Sequence, residues 1–277
     1  MRKIVVVIIL FSCGYVNGQE LFVFTEPASN MPARSISTRM TGSFTNKNQS
    51  AGNRSMQRYN PEVMMGLNRK WMLHAGATFA DMHTPDLRWE SVYTYIKYRF
   101  LSIDDVHKHF RMAAFADAAY TRSPFEMDEV NLQGDKSGIA IGLIATQLVN
   151  KLAVSATVSH TQGLDASRND KILYTPARIY QAVNYALSTG YLLFPRNYTD
   201  YKQLNMNLYV ELLGQQTLDR KTNYLDLAPA VQFIFNSNSK INIGYRFQVT
   251  GNMERVSRQS LLLTFERTFL NAFRKAN

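Results

Sequence analysis

Two groups of soft ligands are the first residues of this 277-residue chain with types suited to chemistry. Met64, Met65, Met72, His74, Met82 and His83 lie close in sequence, and His107, His109 and Met112 form a second group. Thioether and imidazole side chains suit copper. The placement works against a site: His107 and His109 fall at a short turn, Met82 and His83 at the opposite end of a strand. Several of the methionines also fit plain apolar filling. No metal and no cofactor is therefore expected. A hydrolase would need a nucleophile, a base and an orienting group in reach. Ser159 and His160 are neighbours in a strand pattern, so they point to opposite faces. Asp81 and His83 can meet at a rim, but such a pair is nonspecific. No Gly-x-Ser-x-Gly turn or phosphate loop occurs, so no enzyme is expected.

The remaining chemistry lies in charged and phenolic residues that alternate with apolar ones. Arg39, Glu62, His74, Tyr93, Tyr95, Lys97, Arg99, Arg111, Asp117, Glu211, Asp226, Arg246 and Glu266 all fall on the polar side of such patterns. Both signs are present. If these residues line a lumen, they must be paired or hydrated, because burying a lone charge costs several kcal/mol. Paired, they would seal a barrel; unpaired, they would line a water-filled path. Both readings stay open in the sequence.

The elements that would position them are strands. In residues 204–212, Leu204, Met206, Leu208, Val210 and Leu212 share one face, and Asn205, Asn207, Tyr209 and Glu211 the other. Residues 152–160, 225–235 and 241–249 repeat this period of two, the signature of a strand between apolar and polar surroundings. Less regular segments occur near 34–45, 57–67, 71–81, 89–100, 108–120, 137–148, 178–190 and 258–270. About twelve strands result, within the range of bacterial membrane barrels. They are long enough to cross a membrane at a tilt. No run of 18 apolar residues offers a spanning helix.

Connections alternate in length. Short ones fall at 68–70, 102–105, 149–151 and 236–240, with a middling one at 195–202. Longer polar stretches fall at 46–56, 82–88, 121–136, 161–177, 214–223 and 250–257. Short periplasmic turns and long external loops are a rule of outer-membrane barrels, with no counterpart in a soluble sandwich. Tyr98, Phe100, Tyr120, Tyr191, Phe247 and Phe269 sit at strand ends, where interfacial aromatics belong. The last strand is aromatic-rich through Phe273 and is followed by four further residues. The loops at 121–136 and 161–177 mix Glu126, Asp128, Glu129, Asp135, Asp165, Arg168, Asp170 and Lys171, as solvated or partner-binding loops do.

The N-terminus reads as an export signal: Arg2 and Lys3, then the apolar run 4–11, then small residues before Gln19. Cleavage after Gly18 and lipidation at Cys13, the sole cysteine, are the two alternatives. Net charge is +10, and loss of the signal leaves 29 basic against 21 acidic residues, or +8. The organisation expected is a signal peptide at 1–18, a periplasmic lead-in at 19–32, a barrel at 33–273 and a tail at 274–277. Pro27 and Pro32 would keep the lead-in extended. Whether Phe22 and Phe24 anchor it inside the barrel as a plug is left open.

The segments Gln19 to Arg34, Tyr98 to Met112, Tyr198 to Leu213 and Leu225 to Phe235 resemble a group of outer-membrane β-barrels of Bacteroidetes-type bacteria. Members of that group are described only as transporters or outer-membrane proteins. The resemblance implies location and fold and transfers no site residue.

The expectation is thus an all-β, closed antiparallel transmembrane barrel of about 12 strands. Its function would be passage of a small solute through a mixed-charge lumen. The alternative is a sealed structural or partner-binding barrel that acts through its external loops. Expected partners are outer-membrane lipid, the barrel-insertion machinery and an unidentified small solute. No nucleic-acid partner is expected, since no motif or basic aromatic patch occurs.

Overall fold

A computed structural model describes residues 22–47, 54–123, 127–164, 179–195, 200, 202–219 and 221–273. The expected signal peptide, Cys13, the tail 274–277, Glu126 and the loop residues Asp165, Arg168, Asp170 and Lys171 lie outside these residues.

Twelve strands close into one antiparallel barrel, each paired with its sequence neighbours, and the first pairs with the last. They are β1 (Ser35–Lys47), β2 (Arg54–Gly66), β3 (Trp71–Ala80), β4 (Arg88–Asp104), β5 (Lys108–Thr121) and β6 (Ser137–Val149). The second half comprises β7 (Leu152–Leu164), β8 (Gln181–Phe194), β9 (Asn205–Thr217), β10 (Asn223–Phe235), β11 (Ser239–Gly251) and β12 (Gln259–Phe269). Closure leaves no sheet edge, so every ladder amide has a partner in a medium without water.

Each strand turns apolar side chains outward and polar ones inward. Ile139, Ile141 and Leu143 are exposed on β6, and Leu261, Leu263 and Phe265 on β12. Lipid satisfies such a face; a single arginine at Leu143, in the middle of its strand, would cost about 2–4 kcal/mol there. Phe100, Tyr120, Tyr191 and Phe269 are exposed at strand ends, where aromatic girdles form.

The β6–β7 turn places Asn150 at φ 54°, and the β10–β11 turn places Asn236 and Ser237 at φ 49° and 56°. Asparagine tolerates this left-handed conformation, which tight hairpins need. Several expected long loops are shorter than their polar stretches suggested. Residues 214–217 and 250–251 extend β9, β10 and β11 instead. At 13 residues or more, these strands exceed what a tilted crossing needs. Their ends therefore carry polar residues, which the sequence pattern reads as loop.

One irregularity matters for the interior. Thr78 pairs with Ser91 and Phe79 with Trp89, so Glu90 is an extra residue in β4. A bulge turns successive side chains the same way, and Glu90 and Ser91 are both fully buried.

Candidate functional site

The lumen holds two pieces of chain. The first is the segment 22–32 of the lead-in, whose placement as a plug the sequence leaves open. Its backbone runs inside the barrel. The wall explains why. The Glu211 carboxylate, fully buried on β9, accepts from the amides of Val23 at 2.9 Å and Phe24 at 2.8 Å. It also accepts from the hydroxyls of Thr25 and Ser188. A buried carboxylate needs such donors, since leaving it bare costs several kcal/mol. Lys97 of β4 donates to the carbonyls of Pro27 at 2.7 Å and Ser29 at 2.9 Å. Thr146 Oγ1 of β6 accepts from the Ala28 amide. Two proline nitrogens that cannot donate ask nothing of the wall.

Side chains of the segment are seated as well. Phe22 packs edge-on to Tyr209, with ring centroids 5.8 Å apart, beside Leu148 and Ala153. Phe24 lies over Gly244, where a Cβ would come within 2.7 Å of its ring. Glycine at 244 makes the slot. Glu26 meets Arg39 at 3.2 Å and Lys97 at 3.6 Å. Burial pushes the Glu26 carboxyl up, but Lys97, Arg39 and His74 outweigh it and hold it down to about 2. Arg39 also holds Glu62 at 2.5 Å, and Glu62 accepts from His74 Nδ1 at 3.0 Å.

The second piece is the β5–β6 loop, which folds over the opposite end. Asp135 pairs with Arg58 of β2 and, at 3.1 Å, with His83. Burial again pushes the carboxyl up, and Arg58 and His83 more than reverse it, leaving it far below the usual carboxylate range. Gln215 of β9 exchanges two hydrogen bonds with the backbone of Val130. Gly134, at φ 126°, lets the loop turn directly above Arg58. Glu129 grips Arg255 of the β11–β12 loop through two bonds, and Arg255 reaches on to Asp226 at 2.9 Å. Asp226 also takes Arg246 at 2.5 Å, and Arg255 stacks over Tyr224 at 3.7 Å.

Two cavities lie along this interior, the first mainly polar and the second mainly apolar with charged residues in its wall. One of about 430 Å³ faces the loop end and is lined by Arg39, Arg58, Asp117, Glu129, Tyr224 and Arg246, among others. The other, of about 310 Å³, faces the short-turn end and is lined by Met64, Met72, Arg111, Lys240 and Glu266 together with the inner segment. Thr25, Glu26, Arg39 and Asn242 line both. These four residues stand at the boundary between the two cavities.

The expected lumen residues are brought together unevenly. Arg39, Glu62, His74 and Lys97 form one network with Glu26. Asp226 and Arg246 join the loop-end network, Glu211 holds the segment, and Glu266 pairs with Lys240 at 2.7 Å. Tyr93 covers Gly76, and Tyr95 stacks between His74 and Phe115. Arg99 and Arg111 sit at the short-turn rim, on the Arg69 carbonyl and on Asp104 and Ser29. Asp117 stands apart: its Oδ1 is buried with no hydrogen-bond partner. Sequence reasoning missed Glu26, Arg58, Glu129, Asp135, Lys240 and Arg255. Period two could have found Arg58, which shares a face with Asn60 and Glu62, and Lys240, which shares one with Asn242. The loop residues carry no such signal. The rim candidates for hydrolysis do not converge: Ser159 is bound by Asn184, Asp81 by the Gln57 amide, and His83 by Asp135. Among the described residues no cluster of three His, Cys, Asp or Glu is arranged to hold a metal.

No family model and no curated protein matches this chain. Among solved structures, an outer-membrane channel from Pseudomonas putida F1 is similar over 90% of this chain and 100% of that one. Its TM-score is 0.54 and its identity 12%. The NanC porin is similar over 84% of this chain and 98% of that one, at TM-score 0.49 and 10% identity. The KdgM porin is similar over 85% and 99%, at TM-score 0.46 and 9% identity. The likeness to the Pseudomonas channel shows the fold, a closed barrel of the outer-membrane type.

Proposed function

We propose that this protein is an outer-membrane channel for a small hydrophilic solute, with the inner segment as its constriction. The carrying observation is the pair of cavities, each with charged residues in its lining, that share only Thr25, Glu26, Arg39 and Asn242. Three of these four belong to the segment or contact it. A structural barrel has no need of stacked cavities with charged linings; filling them with side chains would serve better. Residence in the outer membrane of a Bacteroidetes-type cell is part of this reading and rests on the resemblance and the fold. So does insertion by the machinery that recognises an aromatic last strand. The lining mixes arginines and carboxylates that, Asp117 apart, are mutually paired, which favours a neutral or zwitterionic solute over a single-sign ion.

The second reading is a sealed barrel acting through its external loops. The pairing of Arg58 with Asp135 and of Arg255 with Glu129 and Asp226 favours it. Vesicle swelling separates the two. The protein is refolded into liposomes, with and without residues 22–32, and challenged with neutral sugars and amino acids of graded size. The channel reading expects fast swelling with the shortened protein and slow swelling with the intact one. No swelling with either, when heat-modifiable gel mobility confirms insertion, would leave only the sealed barrel.

A further inference from the structure

We propose that the lumen wall is a binding site for a short peptide bent at its aromatic end, and that residues 22–30 are its resident occupant. The contacts with the segment are largely of a kind any peptide could satisfy. Glu211 reads two consecutive amide N–H groups, those of Val23 and Phe24. Thr146 accepts a third, from Ala28. Lys97 donates to two carbonyls, of Pro27 and Ser29. A carboxylate that reads amides and an ammonium that reads carbonyls recognise backbone, whatever the side chains. Both wall groups belong to strands of the closed barrel, so the segment does not supply them.

Specificity comes from two aromatic seats. Phe22 fits against Tyr209, Leu148 and Ala153, and Phe24 fits over Gly244. The seats are two residues apart in a stretch that bends at Val23, Phe24 and Thr25, and the bend lets one Glu211 oxygen accept from two consecutive amides. Arg39 then takes the carboxylate of Glu26. The ligand class is therefore a short peptide with aromatic, any residue, aromatic, followed closely by a hydroxyl and an acid, able to bend between the two rings. The covalent tether is at the mouth: Pro32, Ala33 and Arg34 are exposed at the short-turn end. A free peptide would enter from that side.

The site is tested on full-length protein refolded with a protease site inserted between Ala33 and Arg34. Folding then occurs with the segment in place, and cutting leaves it held by the lumen alone. A fluorescein-labelled synthetic peptide of residues 20–32 is added, and anisotropy follows its uptake. The proposal expects exchange into the cut barrel and none into the uncut one. Glu211→Gln and Lys97→Met should each weaken uptake about tenfold, the loss expected for one hydrogen-bonded charge. A peptide N-methylated at Val23 and Phe24 should lose a similar factor, although its side chains are unchanged. Uptake indifferent to these changes, or none into the cut barrel, would overturn it.

Peptide binding does not depend on the channel reading. Uptake without any effect on conductance would leave the receptor site standing and count against the solute path. Open channels in the cut barrel that take up no peptide would do the reverse.

Discussion

The two ends of the lumen are closed by different chemistry. At the short-turn end, wall side chains hold the backbone of the segment 22–32, through Glu211, Lys97 and Thr146. At the loop end, ion pairs between side chains dominate, through Arg58 with Asp135 and Arg255 with Glu129 and Asp226, with Gln215 on the Val130 backbone beside them. Among the described residues the segment runs into a strand at one end only, whereas the β5–β6 loop is tied into β5 and β6 at both. Withdrawing the segment costs its contacts and frees chain entropy. Withdrawing the loop would also strain two strands. The difference makes the segment the removable part and the loop a fixed lining, and each prediction below sharpens or breaks that contrast.

The largest effect is expected from Glu211→Gln combined with Lys97→Met in the full-length chain. Hydrogen bonds to charged groups contribute about 1.5–3 kcal/mol each, so the segment should detach while the barrel persists. Limited proteolysis after Phe22 or Phe24 should become fast in the double variant and stay slow in the parent. Equal protection in both would mean that the wall charges do not hold the segment.

Next in size is Arg255→Ala. It leaves Asp226 and Glu129 short of a partner inside the loop end, at a cost of about 3–5 kcal/mol if both stay buried. The midpoint of thermal unfolding should fall, and protection of residues 22–32 in hydrogen exchange should not change. Coupled loss of that protection would show the two ends to be one unit.

The effect of acid should be smaller and late. Glu26 is held below its ordinary 4.5, at about 2. Its contribution is therefore complete above pH 4.5 and lost as pH falls toward about 2. Asp135 is depressed in the same sense, so the loop end follows the same direction. Conductance should be flat between about pH 7 and about pH 5 and rise only in stronger acid. A rise near neutrality would count against Glu26 as the group that holds the segment. The smallest effect is expected for Arg111→Ala. Its partner Asp104 is half exposed at the rim, and such pairs contribute about 1 kcal/mol or less. Stability and conductance should be unchanged within error.

The strands were legible because lipid and lumen impose opposite demands on alternate residues. Leu208 and Val210 against Tyr209 and Glu211 could be assigned to their faces from sequence alone. The thirteen lumen candidates followed from that same rule. Their pairing was not legible. That Arg39 meets both Glu62 and Glu26 depends on register and on where a distant segment lies. The segment itself has no period to read, since Glu-Pro-Ala-Ser-Asn-Met-Pro is held by wall charges rather than by a face of its own. The bulge that turns Glu90 inward likewise leaves no trace in the pattern around Trp89 and Ser91.

Single-channel conductance in a planar bilayer tests the central claim most directly, comparing the intact protein with one lacking residues 22–32. The account predicts silence or brief small steps from the intact barrel and large steady steps from the shortened one. A shortened barrel that inserts, as heat-modifiable mobility would show, and is as silent as the intact one would contradict it.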